Sequence, residues 1–135
     1  MRFADIDHAG IVYYPVFYDY FHQAFEAFFH ERLGPRGYAN LLDVDRLGFP
    51  AVQTRCEYTA PLRFGDIAEV EVSLVRLGGK SLTLGYAVFR ASDSGGARAP
   101  VARGEVTTAV VDLDAFSAVE LPEGLRTLFG ALVAD

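Results

Sequence analysis

Two carboxylates, Asp5 and Asp7, stand close together near the start of the chain, followed by Gly10 and then Tyr13-Tyr14-Pro15. Beyond Pro15 the sequence is dense in aromatic residues, from Phe17 to Leu33. A carboxylate in a polar elbow can attack an electrophilic carbon or take a proton from water, and the amides that open a helix can hold a developing negative charge. Taken singly, the same residues have plainer uses. Asp5 and Asp7 suit turns and caps, where their side chains bond nearby amides. Gly10 suits a tight turn, and His8 a solvated loop. His22 and His30 share the aromatic segment with Asp19 and Glu26, but no pair has the i, i+4 spacing of histidine ligands, so no metal is expected.

The elements that must position the elbow follow from periodicity. The segment from Pro15 to Leu33 reads as the one long helix, with proline tolerated in its first turn and Gly34-Pro35 as its stop. Phe17, Phe21, Phe25, Phe28 and Phe29 share a broad face while Tyr18 and Tyr20 point elsewhere. A helix apolar nearly all round is expected to be wrapped by a curved sheet. Residues 1–4 read as the tail of a strand, and 36–48 as a loop with a helical turn.

After Phe49-Pro50 the period becomes two. Val52, Thr54, Cys56 and Tyr58 share one side of a half-buried strand. Ala68, Val70, Val72 and Leu74 mark the next, Gly78-Gly79 a hairpin, and Leu82, Leu84, Tyr86 and Val88 the return. A turn over 92–96 leads to a last strand with Val106, Thr108 and Val110, and Glu123 to Leu132 reads as a short helix. Hairpin-linked strands after a helix place the chain in the α+β class, with an antiparallel sheet.

The 135 residues are expected to form one domain, 1–135; 51% are hydrophobic and 22% charged, which argues against disorder. A net charge of −6 without a basic run argues against nucleic-acid binding. The single cysteine, Cys56, forms no internal disulfide and reads as a small buried hydrophobe. The first residues turn acidic without an apolar signal region, and no apolar run is long enough for a membrane span; a cytoplasmic location is expected.

Taken together, Asp5-x-Asp7-x-x-Gly10-Ile11-Val12-Tyr13-Tyr14-Pro15 and the aromatic helix behind it resemble the hotdog-fold acyl-CoA thioesterases, in particular the 4-hydroxybenzoyl-CoA and tol-pal-associated type. The resemblance runs from Arg2 to about Leu128. It implies a long central helix wrapped by a curved antiparallel sheet of about five strands, and hydrolysis of an acyl-CoA without a further cofactor. It also implies that Asp7 acts on the thioester carbonyl as nucleophile or as general base on water, and that the backbone amide at Tyr14 is an oxyanion contact. Gly10 shapes the elbow. Gly79, Lys80 and Ser81 fall where relatives commonly meet coenzyme A, often from a neighbouring subunit, so a homodimer or homotetramer is expected. Arg63, Arg76 and Arg90 are weaker phosphate candidates. Many tol-pal-type relatives have histidine at the position of Tyr14; Tyr13-Tyr14-Pro15 looks more like the aroyl-CoA enzymes and leans towards an aromatic acyl group. Relatives usually carry about a strand's length of chain before the motif. His8 is given no role.

Two other readings use the same residues. A hotdog dehydratase or hydratase would move protons at the acyl chain with groups such as Glu26 and His8, whose spacing fits poorly. A non-catalytic acyl-CoA binding protein would keep the fold but has no need of Asp7, Gly10 and Tyr14 together.

Overall fold

The computed structural model describes residues 2–7, 10–12, 14–92 and 96–132; His8, Tyr13 and residues 93–95 of the expected turn lie outside the described residues. A short 3-10 turn, Phe3–Asp5, precedes α1 (Tyr14–Leu33) and α2 (Gly37–Asp43). The strands follow: β1 (Leu47–Gly48), β2 (Ala51–Tyr58), β3 (Ala68–Leu77), β4 (Ser81–Arg90), β5 (Ala99–Ala109), β6 (Val111–Asp112) and β7 (Ser117–Ala118), before α3 (Glu123–Gly130).

The four long strands form one antiparallel sheet in the order β2-β5-β4-β3, and the short ones a ladder β1-β6-β7. Register slips interrupt the pairing near Ala51, Leu74 and Val88. Such bulges bend a strand and raise its twist, which lets a sheet close around a helix. The helix in question is α1, and it touches every strand of the sheet. Phe17 packs edge-on to Tyr58 of β2. Phe21 stacks on Tyr86 of β4 at 4.9 Å, and α1 also contacts β3. At β5 the contact is so close that a Cβ on Gly104 would lie 2.5 Å from the Phe21 ring. Glycine in mid-strand is the condition for that approach.

Four expectations are corrected. Residues 3–5 turn rather than extend, because the Asp5 carboxylate accepts the Arg2 amide at 2.9 Å and local bonding of this kind competes with strand formation. The helix is not apolar all round: Asp19, His22, Gln23, Glu26 and His30 lie along an exposed side, while Phe17, Tyr20, Phe21, Phe25, Phe28 and Phe29 are buried. Strand β2 is exposed along almost its whole length, with only Cys56 half-buried. It lies at one of the two edges of the sheet, paired only with β5, and its faces are largely uncovered, unlike those of β3 at the other edge. The segment after α1 holds a seven-residue helix, α2, where a loop with one helical turn was expected.

Candidate active site

The elbow is a tight reversal stitched at both ends. Ile6 pairs with Val12 across it, the Asp7 amide donates to the Ile11 carbonyl at 3.0 Å, and the Gly10 amide donates to the Asp7 carbonyl at 3.0 Å. Gly10 has φ of +78°, a left-handed conformation that a side chain would strain. The outgoing arm is fixed to the sheet side of the molecule by the Val12 amide, which donates to Leu62 at 2.7 Å, and by a bridge between Ile11 and Arg63. Two residues after Val12, α1 begins at Tyr14.

This geometry separates the two carboxylates. Asp5 is buried, with 3% of its surface exposed. It accepts the Arg2 amide and guanidinium at 2.9 and 3.3 Å, and the Tyr20 hydroxyl at 3.4 Å. The Arg2 amide does most to hold its carboxyl below the ordinary 3.8, with burial opposing and the Arg2 charge assisting. Tyr20 is pushed the other way, to about 12, first by burial and then by the Asp5 charge. Asp5 is therefore a structural clasp between the 3-10 turn and α1. Asp7 is exposed at the turn and remains accessible to a ligand.

A carboxyl whose folded-state value is depressed adds stability above its ordinary range and loses it as pH falls through the folded-state value. Asp5→Asn is thus expected to destabilise the fold by roughly 1–2 kcal/mol at neutral pH. That difference should shrink towards zero below pH 3.8. Denaturant titrations of both proteins across pH 2–7 read this directly; a difference unchanged by pH would remove the charge from the explanation.

Tyr14 is the first residue of α1, and its side chain is 67% exposed. The first amides of a helix have no intrahelical partner. Pro15 carries no N–H, so the donors of this first turn are the amides of Tyr14, Val16 and Phe17, at the positive end of the helix dipole. The Tyr14 carbonyl accepts the Tyr58 hydroxyl at 3.4 Å, which ties the helix start to the end of β2. Sequence reasoning missed both Tyr20 and Tyr58 here, because their partners lie 15 and 44 residues away and no spacing rule links them.

One turn further along α1, Tyr18 opens a cavity of 170 Å³ between the helix and the sheet. Phe21, His22 and Phe25 line it from α1, Thr54 from β2 and Tyr86 from β4. Its lining is mostly apolar, and His22 is held at 2.9 Å by Glu26 on the next turn. An apolar cavity of about 150 Å³ holds a benzene ring in another protein. Among the described residues, no group of three or more His, Cys, Asp or Glu is placed to hold a metal.

The hairpin residues Gly79, Lys80 and Ser81 are elsewhere. They join β3 to β4 at the end of the sheet where Ser81 faces Ala109 and Leu82 faces Leu77. The elbow sits at the other end, beside Tyr58, Leu62 and Arg63. The ten residues of β4 span that distance, about 30 Å at the usual rise per residue. One chain does not bring the two groups together. The hairpin is also strapped down: Arg126 of α3 donates to the Gly78 and Gly79 carbonyls, Leu121 donates to Gly79, and the Glu120 carboxylate lies 3.0 Å from where a Gly79 Cβ would be. Lys80 is exposed.

The sequence matches a family model described as the thioesterase-like superfamily over residues 1–129. The chain belongs to that superfamily. Its fold is the hotdog fold and its reaction class is thioester hydrolysis. It is 30% identical over 90 residues to a putative esterase of Aquifex aeolicus, covering 67% of this chain and 68% of that protein. A gentisyl-coenzyme A thioesterase structure is 29% identical, with a TM-score of 0.79 over 96% of this chain and 95% of the other. A 4-hydroxybenzoyl-CoA thioesterase, 21% identical, shares the fold with a TM-score of 0.82 over 95% and 92% of the two chains. No helix among the described residues is long and apolar enough to cross a membrane.

Proposed function

We propose that this thioesterase hydrolyses an acyl-CoA whose acyl group is aromatic, or short to medium in length, to the free acid and coenzyme A. One observation carries the reading: the accessible carboxylate of Asp7, the opening amides of α1 and a ring-sized cavity follow one another along the start of a single helix. The acyl group enters the cavity past Tyr18, and the thioester carbonyl lies at the helix N-terminus. The Tyr14 amide donates to the carbonyl oxygen as it gains charge, with the helix dipole adding to the field.

Asp7 then acts in one of two ways. As nucleophile, its oxygen bonds to the carbonyl carbon, the C–S bond breaks, and the thiolate leaves and takes a proton. Water then opens the mixed anhydride and restores the carboxylate. As general base, Asp7 takes a proton from the water that attacks the carbon, and the thiolate leaves with a proton in the same sense. Both routes consume one water and need no cofactor. Gly10 keeps the turn that presents Asp7.

Because Gly79, Lys80 and Ser81 stand far from Asp7 in one chain, any contact they make with coenzyme A at this elbow comes from a second copy. The uncovered edge of β2, with Val52 and Tyr58 exposed, is consistent with a homodimer that extends the sheet, and a homotetramer would pair two of these. The expected compartment is the cytoplasm.

The test is release of free coenzyme A from benzoyl-, hydroxybenzoyl-, phenylacetyl- and short- to medium-chain acyl-CoAs. Turnover ranked with the ring-bearing thioesters first is the expected result. No release from any of them by folded protein would overturn the reading.

A further inference from the structure

Among the described residues, most arginines are already spent on local charges. Arg2, Arg32, Arg46, Arg55 and Arg98 are ion-paired, and Arg126 holds the hairpin carbonyls. Arg63 and Arg90 have no ion pair, and they line the same pocket, of 500 Å³, with Asp66, Ser92, Ala97 and Ala99. Asp66 is the one carboxylate among its described lining residues, and its side chain accepts the Arg63 amide at 2.8 Å, closing the turn over 63–66. In a chain of net charge −6, two arginines that line one polar pocket, neither of them ion-paired among the described residues, favour an anion there.

Two further features give the anion a class. The first is place: Arg63 bridges to Ile11, and Ile11 accepts the amide of Asp7. The backbones of Arg63 and Asp7 are therefore two strand spacings apart, roughly 10 Å, on the same chain. The second is an exposed ring on the residue next to Arg63. Phe64 is 59% exposed and meets the equally open Phe3 edge-on at 5.7 Å. A surface aromatic next to unpaired guanidinium groups suits a base joined to phosphates.

We infer that Arg63 and Arg90 bind a phosphate of coenzyme A, with its adenine against Phe64, so that the chain that supplies Asp7 also anchors the nucleotide end of its own substrate. This rests on the acyl-CoA reading above. The pantetheine arm runs from the pocket past Ile11 to the elbow. The site differs from the hairpin at Gly79, Lys80 and Ser81, which only a second copy brings to this elbow.

The test compares wild type with Arg63→Gln/Arg90→Gln, using Arg36→Gln, an exposed arginine outside this pocket, as the control. Calorimetric titration with coenzyme A itself should show a Kd raised roughly 10- to 100-fold in the double variant, with a shallower dependence on salt, and no change for Arg36→Gln. With one acyl group presented as its CoA and as its N-acetylcysteamine thioester, KM should rise for the first only. Equal coenzyme A binding by wild type and double variant, or equal losses on both thioesters, would overturn the inference. So would failure of wild type to bind coenzyme A. If wild type hydrolyses neither thioester yet binds coenzyme A through these arginines, the catalytic reading fails and this one stands.

Discussion

Asp7→Asn is expected to lower kcat for acyl-CoA hydrolysis by roughly 10²–10⁴-fold, the range for losing a positioned acid–base group. The substituted amide neither attacks a thioester nor takes a proton from water, so both routes for Asp7 stop. The fold should be largely kept, because Asp7 is exposed and the variant retains the backbone bonds of the elbow, its amide to Ile11 and its carbonyl from Gly10. Coenzyme A release by the variant, measured beside its thermal melt, separates the two effects. Unchanged turnover by a folded Asp7→Asn protein would remove Asp7 from the mechanism. Asp5→Asn supplies the contrast: its buried clasp to Arg2 and Tyr20 predicts a loss mainly in stability, with a smaller effect on kcat.

The largest stability effect is expected at Phe29. Its side chain is fully buried, and its ring meets Phe25 at 5.0 Å, Phe28 and Tyr38 at 5.4 Å and Phe129 of α3 at 5.6 Å. Three helices thus share this ring. Phe29→Ala removes its transfer energy and leaves a cavity that three packed elements cannot close, costing about 3–5 kcal/mol. For a chain of this length that corresponds to a Tm lower by roughly 10–20 °C. Phe116→Ala, at a largely exposed ring, should stay within about 0.5 kcal/mol of wild type. Chemical denaturation of the two variants tests the contrast, and a small loss at Phe29 would mean that the aromatic cluster repacks.

The identity of the elements was written locally. Alternation in 68–74 and in 82–88, the glycine pair between them, and the proline and glycine that bound α1 each act over a few residues, so periodicity was enough to place β3, β4 and the long helix. The elbow was legible for the same reason, since Asp7, Gly10 and the start of α1 are close in sequence. Exposure was not legible. Strand β2 alternates as a half-buried strand would, yet its faces lie bare while β3, at the other edge, is half-buried, because cover depends on what packs across a strand and not on the strand's own period.

The sequence by itself determined the α+β class, the aromatic helix and the acidic turn ahead of it, because local propensity and side-chain period decide such features. Only the tertiary structure decided which aspartate is a clasp and which is accessible, since Tyr20 reaches Asp5 across a turn of chain that spacing does not describe. Only the tertiary structure put Gly79, Lys80 and Ser81 at the far end of the sheet and gathered Arg63 with Arg90 near the elbow. An antiparallel strand carries its two ends some 30 Å apart. The strand that takes the hairpin away from the elbow is the same one that brings Arg90 back to it.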